Sequence, residues 1–304
     1  QWSGFGQVVI ISLIQIGGLG FMSAATLVVF LLRRKVGLKQ RLVMAQSLSV
    51  SDMDGIVKLQ KTVLIGSFSI EATGALILLL RFWPEYGFIT ALKWGVFHSV
   101  SAFCNAGFDI FGVLNPGASL MEFQSDPVVL LTLGSLVTVG GLGFLVWEEI
   151  ASRRRFKKLS VYSRLVLMTT GALILMFRCL PAYGLQQAAV WGVFHAISAF
   201  CNAGFDIFGK IAPNASIITF NQDPVVCITL MVLIVVGGLG FFVWEELATV
   251  RRFRKFSVYT KLVLLTTLGL ILGGAILFMI LEWNNPGCVV SIKDGRYTID
   301  KQLA

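Results

Sequence analysis

Asn105-Ala106-Gly107-Phe108 and Asn202-Ala203-Gly204-Phe205 sit at the centre of a segment, SAFCNAGFDIFG, that runs from Ser101 to Gly112 and returns letter for letter from Ser198 to Gly209. The chemistry open to this stretch is coordination rather than bond-making. Gly107 and Gly204 can take positive φ without a Cβ penalty, so successive carbonyls can face one way. Rings of such carbonyls replace the hydration shell of an alkali cation such as potassium. Asp109 and Asp206 follow directly. Carboxylates there raise the local cation concentration at an outer mouth, or cap the turn by bonding nearby backbone; the residues alone leave both readings standing. The sequence shows no Ser/His/Asp set, no metal-ligand cluster and no nucleotide motif, so neither an enzyme nor a cofactor is expected. The five cysteines have no paired spacing and are assigned no chemistry.

The elements that must position these loops are membrane helices. Of 304 residues, 56% are hydrophobic and 13% charged, and the mean hydropathy is +0.81, too apolar to cover a soluble globule. Five segments are long enough to cross the bilayer: Phe5 to Leu32, Thr62 to Leu80, Pro127 to Ile150, Val161 to Phe177 and Tyr259 to Trp283. Two shorter stretches, Ala91 to Phe103 and Ala188 to Phe200, read as re-entrant helices. Non-helical backbone at membrane depth is tolerated only inside protein or along a water-filled path. Each short helix ends at its repeated loop, and its C-terminal carbonyl end favours a cation there.

The net charge of +9 does not point to nucleic acid, because 18 of the 25 Lys and Arg fall in three patches. These are Arg33 to Lys61, Arg153 to Arg164 and Arg251 to Lys261. Each lies between spanning segments, which places all three in the cytoplasm by the positive-inside rule. Glu85, Asp109, Glu122, Asp126, Asp206 and Asp223 then face outward. The chain begins at Gln1 with no charged leader, and is expected to be internal to a longer gene product.

An offset of 97 residues aligns Trp94 with Trp191 and holds without a gap to Thr170 and Thr267, with roughly two-thirds of positions identical. Each copy holds a short helix, the polar loop, a DPVV start to the next helix, and a helix ending GGLGF before VWEE and a basic patch. Upstream the match stops at TGALIL, as if two related sequences were joined there. GGLGF also stands at Gly17 to Phe21, marking the first segment as the closing helix of an earlier unit. The GGLG glycines read as packing sites for the short helix of their own unit, since no strand or GK[ST] accompanies them. His98 and His195 read as packed, hydrogen-bonded anchors of the short helices rather than ligands. Glu71, mid-span, reads as satisfied by hydrogen bonding within the bundle. Glu148, Glu149, Glu245 and Glu246 mark the cytoplasmic interface.

The repeated loop, preceded by WGVFH and followed by the GGLGF helix, resembles the second pore unit of the membrane subunit of Trk/Ktr-type potassium transporters. The likeness covers Ser3 to about Pro286; the tail from Gly287 resembles nothing placed. The resemblance implies an all-α membrane protein of tandem helix/pore-loop/helix units with re-entrant pore helices. It divides the chain into a closing helix and linker (1–60), a complete pore unit (61–160), its second copy (161–258) and an opening helix with an outer tail (259–304). It implies potassium transport, passive or ion-coupled, through carbonyls of Asn105, Ala106, Gly107, Phe108, Asn202, Ala203, Gly204 and Phe205, with Asp109 and Asp206 at the outer mouth. A sodium-selective or sodium-coupled transporter and a non-conducting helical bundle are the alternatives. In that family four units surround one pore, whereas this chain shows two filter segments, so pairing as a homodimer is expected. A cytosolic nucleotide-binding regulatory subunit, the lipid bilayer and a bacterial cytoplasmic membrane complete the implied setting; nucleic acid is not among the expected partners.

Overall fold

In the computed structural model of the chain, the described residues are 3–19, 56–114, 120–142, 159–207, 220, 223–250 and 252–282. They form helices and turns, with no strand among them. Two compact units divide the chain, Gln1–Gly238 and Leu239–Ala304. The first holds α1 (Gly4–Leu19), α2 (Ile56–Tyr86), α3 (Phe88–Phe103), α4 (Pro127–Leu142), α5 (Leu159–Phe200) and α6 (Pro224–Gly238). The second holds α7 (Phe241–Thr249) and α8 (Val258–Glu282).

Three helical stretches are long and apolar enough to cross a membrane: Lys61–Tyr86, Val166–Phe200 and Val258–Leu281. The expected spans Phe5 to Leu32 and Pro127 to Ile150 are described as helix only in their first parts, α1 and α4. One correction concerns α6. It is missing from the five expected spans, although its apolar run from Val225 to Trp244 is as long as that of α4 and the repeat required a helix there. The basic residues at 33–41 and 153–158, Glu148 and Glu149, and the tail from Gly287 lie outside the described residues.

A single glycine turns each long helix back into a short one. Gly87 (φ 78°, ψ 157°) ends α2, and α3 folds back to pack along it. The matching residue, Gly184 (φ 76°, ψ 167°), breaks α5 into arms 159–183 and 185–200. A side chain at such an angle is strained, and glycine is not. The 16 residues of α3 rise about 24 Å at 1.5 Å per residue, short of the hydrocarbon thickness. From Phe97 to Phe103 every residue is buried, polar ones included: His98, Ser99 and Ser101 are each 0% exposed. A helical segment buried all round belongs inside protein rather than against lipid, whereas Phe88, Ile89 and Leu92 at the start of α3 are exposed.

Asp126 and Asp223 start α4 and α6 in the same way. Each carboxylate accepts from two backbone N–H groups of the first turn, Val128 and Val129 in one case and Val225 and Val226 in the other. Proline at the first helical position has no N–H to leave unpaired. The second carboxylate oxygen pairs with the preceding long helix, Arg81 Nε at 2.6 Å for Asp126 and Arg178 Nε at 2.6 Å for Asp223. Behind the first copy lies an aromatic cluster of Phe82, Tyr86, Trp94, Phe111 and Phe123. In the second copy Cys179 takes the place of Phe82 and is likewise buried.

Candidate functional site

Both short helices end in a Schellman cap. Asn105 N–H donates to Ala102 O (3.1 Å) and Ala106 N–H to Ser101 O (2.8 Å); Asn202 and Ala203 repeat this on Ala199 and Ser198 at the same distances. The left-handed residue such a cap requires is Asn105 (φ 53°) or Asn202 (φ 55°), asparagine being the side chain that tolerates it best. The sequence points to glycine for the positive φ. Gly107 (φ 69°) and Gly204 (φ 74°) do adopt it, two residues later, so each turn carries two left-handed residues.

The asparagine side chains tie the turns to the following helix. Asn202 Nδ2 donates to Ile234 O (3.2 Å). In the amide orientation that satisfies both groups, Asn105 Nδ2 donates to Val137 O and its Oδ1 accepts from Gly141 N–H, each at 3.1 Å. The glycine pairs ending α4 and α6 make room for this. A Cβ at Gly140 would overlap Phe103 O, and one at Gly237 would overlap Phe200 O. The GGLG runs of α4 and α6 therefore pack on the short helix of their own unit, whereas Gly17 of α1 meets nothing within 4 Å. The second glycine of a pair meets the next loop: Gly141 lies against Cys201, and Gly18 of α1 lies against Cys104.

On their far side the turns are held from behind. Ser101 Oγ donates to Phe108 O (2.6 Å) and Ser198 Oγ to Phe205 O (2.7 Å). Ile110 N–H donates to His98 Nε2 and Ile207 N–H to His195 Nε2, both at 3.2 Å. Asp109 Oδ1 accepts from Phe111 N–H (3.2 Å), so this carboxylate does cap its turn. Among the described residues, no hydrogen bond reaches the carbonyls of Asn105, Ala106 and Gly107, or those of Asn202, Ala203 and Gly204. Of these six residues only Ala203 is buried; the others are partly or fully exposed, so their carbonyls are open to water or to a cation.

The turns also meet each other. A Cβ on Gly107 would overlap Ala203 O and lie 3.2 Å from both the carbonyl carbon and Cα of Gly204. A cavity of about 200 Å³ opens beside the second turn, lined by Ser198, Asn202, Gly204, Asp206, Leu230 and Ile234 among others.

This arrangement is accompanied by sequence likeness of a definite kind. The chain matches the TrkH family, described as cation transport protein, over residues 1–175 and again over 161–283. The chain belongs to the TrkH cation transport family. The two matches overlap across a stretch that contains TGALIL, where the internal repeat ends. The Ktr system potassium uptake protein B of Bacillus subtilis is 42% identical over 175 residues, 58% of this chain and 38% of that protein. The potassium/sodium uptake protein NtpJ of Enterococcus hirae is 36% identical over 175 residues, with the same two shares, 58% and 38%. The Ktr system potassium uptake protein D of Bacillus subtilis is 31% identical over 179 residues, 57% of this chain and 39% of that protein. The chain thus spans well under half the length of the curated relatives it matches. It is a multi-pass helical membrane protein of a transporter family.

Within this TrkH-family chain, the eight residues singled out by the repeat fall on the two touching turns, and Asp109 and Asp206 directly follow them. Two residues escaped the sequence reading. Gln15 of α1 donates to both carboxylate oxygens of Glu71 (3.0 and 3.1 Å), and Cys104 Sγ lies 3.8 Å from one of them. Glu71 is therefore satisfied between helices, as expected, but by a partner no periodicity points to. Ser99 Oγ adds a bond to Glu71 O (2.6 Å), fastening α3 to α2 beside the first turn.

Proposed function

We propose that this chain supplies two selectivity-filter segments of a potassium uptake pathway, with α3 and the arm 185–200 as re-entrant pore helices. The observation that carries the reading is the set of six unbonded carbonyls on Asn105 to Gly107 and Asn202 to Gly204. Carbonyl oxygens of this kind can replace the hydration shell of an alkali cation. The Phe108 and Phe205 carbonyls, already held by serine hydroxyls, act as the outer fixed points of the two segments. Asp109 and Asp206 concentrate cations at the mouth, and Asp109 does so while capping its own turn. The setting is a bacterial cytoplasmic membrane, with a cytosolic nucleotide-binding subunit docking on the basic face.

Further filter segments would approach the open flank of the second turn. There Gly238 holds the place that Gly18 and Gly141 hold elsewhere, and among the described residues no cysteine covers it. A second copy is the expected occupant. To present its own Cys104 there it must release α1, whose Gly18 already covers that residue.

Two alternatives follow from specific observations. Sodium as transported or coupled ion is suggested by the potassium/sodium uptake named for one relative. A bundle that does not conduct on its own is favoured by the direct contact of the two turns around Gly107. Growth rescue of a potassium-uptake-deficient bacterium at low potassium tests the reading. Rescue that is lost on Gly107→Ser or Gly204→Ser supports it. Membrane insertion without rescue selects the non-conducting bundle, and rescue only where sodium is supplied selects the sodium-coupled alternative.

A further inference from the structure

His98 and His195 are both almost completely buried, 0% and 2% exposed, and both use their two ring nitrogens in the same way. His98 Nδ1 lies 2.7 Å from Trp94 O and His195 Nδ1 2.8 Å from Trp191 O. A carbonyl only accepts, so Nδ1 carries the proton. Nε2 accepts from the amide of Ile110 or Ile207 and so carries none. Each ring is a neutral imidazole of one tautomer, bridging the body of the short helix to the first amide beyond Asp109 or Asp206. In the first copy Phe111 stacks flat on the ring, centroids 3.8 Å apart and planes 9° apart, which fixes its orientation.

The bridge closes a loop around the turn. From Ser101 the chain passes through the Schellman cap, the unbonded carbonyls and Phe108, whose own carbonyl returns to Ser101. Two residues on, Ile110 is returned to His98, one helical turn earlier. The stretch between carries two left-handed residues, and the serine and histidine bonds tie its outgoing end to the short helix at two points, one helical turn apart.

Resting on the filter reading above, we propose that His98 and His195 are positioning residues for ion selection: each imidazole pins the outgoing strand to the short helix and so sets where the carbonyls of 105–107 and 202–204 lie. Each ring acts through the backbone it holds; His195 also borders the cavity beside the second turn. Where selection works by fit, discrimination between cations of different radius depends on holding such oxygens in place, and leaving a buried amide without its acceptor penalises the conformation that holds them.

The test uses the full chain in proteoliposomes, measuring radiolabelled rubidium uptake with sodium as competitor, for His98→Phe, His98→Gln and the corresponding changes at His195. Phenylalanine keeps the flat ring but orphans Ile110 N–H; glutamine keeps an acceptor near the Nε2 position. His98→Phe is expected to lose about tenfold in rubidium-over-sodium preference, the order expected for an orphaned buried amide. His98→Gln is expected to recover most of it at equal protein per vesicle. Wild-type preference in His98→Phe overturns the proposal, and so does His98→Gln as poor as His98→Phe. A second measurement decides the case in which variants do not fold or wild-type protein takes up neither ion, the latter refuting the filter reading itself. Nitrogen NMR of labelled histidine, with hydrogen exchange at Ile110 and Ile207, is expected to show Nδ1-protonated rings and slow exchange. Nε2-protonated rings or fast-exchanging amides overturn the clasp.

Discussion

Alanine at Gly107 and at Gly204 separates two sources of strain that the repeat makes look identical. Both glycines have positive φ, 69° and 74°, where an L-residue costs about 1–2 kcal/mol. Their surroundings differ. A Cβ on Gly107 would overlap Ala203 O and press on the backbone of Gly204, whereas a Cβ on Gly204 meets nothing nearer than Gly107 Cα at 3.9 Å. Backbone atoms of an anchored turn cannot swing aside as a side-chain tip can, and overpacking of this kind costs about 1–3 kcal/mol. Gly107→Ala is therefore expected to lose about 2–5 kcal/mol of stability and Gly204→Ala about 1–2 kcal/mol. Thermal and denaturant unfolding of the full chain in one detergent measures both. Equal losses, or a larger loss at Gly204, would refute the contact between the turns as the cause.

Asp126→Ala removes both a helix cap and the partner of Arg81, and is expected to cost about 1–2 kcal/mol by denaturant unfolding, with Arg81→Met costing less because the cap survives. Gln15→Leu leaves the buried Glu71 carboxylate short of a donor and is expected to cost about 1–3 kcal/mol. Adding Glu71→Met, the residue the second copy carries at the matching position, is expected to restore most of that loss in a double-mutant cycle. Glu246 accepts from Ser257, at the start of α8, through backbone and side chain, and these bonds hold its carboxyl below the usual glutamate range. The sign follows: the hold is complete above the unfolded-state titration and fades as pH falls through the lowered one. Glu246→Gln is therefore expected to lower the melting temperature at neutral pH, with the difference from wild type shrinking in acid.

Much of the site was legible because the duplication is literal. Identical letters at a fixed offset fold into the same turn twice, so Asn105 to Phe108 and Asn202 to Phe205 could be named, and the packing of GGLG on the short helix of its own unit followed from small residues alone in α4 and α6, though not in α1. What could not be read was set by contacts across the chain. The Gln15–Glu71 pair joins helices far apart in sequence, and Gln15 has no counterpart to flag it. The histidines were legible as anchors, but the amides they hold, Ile110 and Ile207, lie beyond the turn and come within reach only once it closes. Assigning the unusual φ to glycine overlooked asparagine as a helix cap. The reversal at Gly87 and Gly184 was hidden because a single glycine between apolar runs does not by itself say that the chain takes a positive φ there. Phe108 and Phe205 show the limit of a motif, for it names a carbonyl without saying which way that carbonyl is held.

Anomalous diffraction from crystals of the full chain soaked in rubidium tests the ion path most directly. The account predicts rubidium bound by main-chain oxygens of Asn105 to Gly107 and Asn202 to Gly204, displaced by potassium. Rubidium found only at the Asp109 and Asp206 carboxylates, with those main-chain oxygens unoccupied at saturating salt, would contradict it.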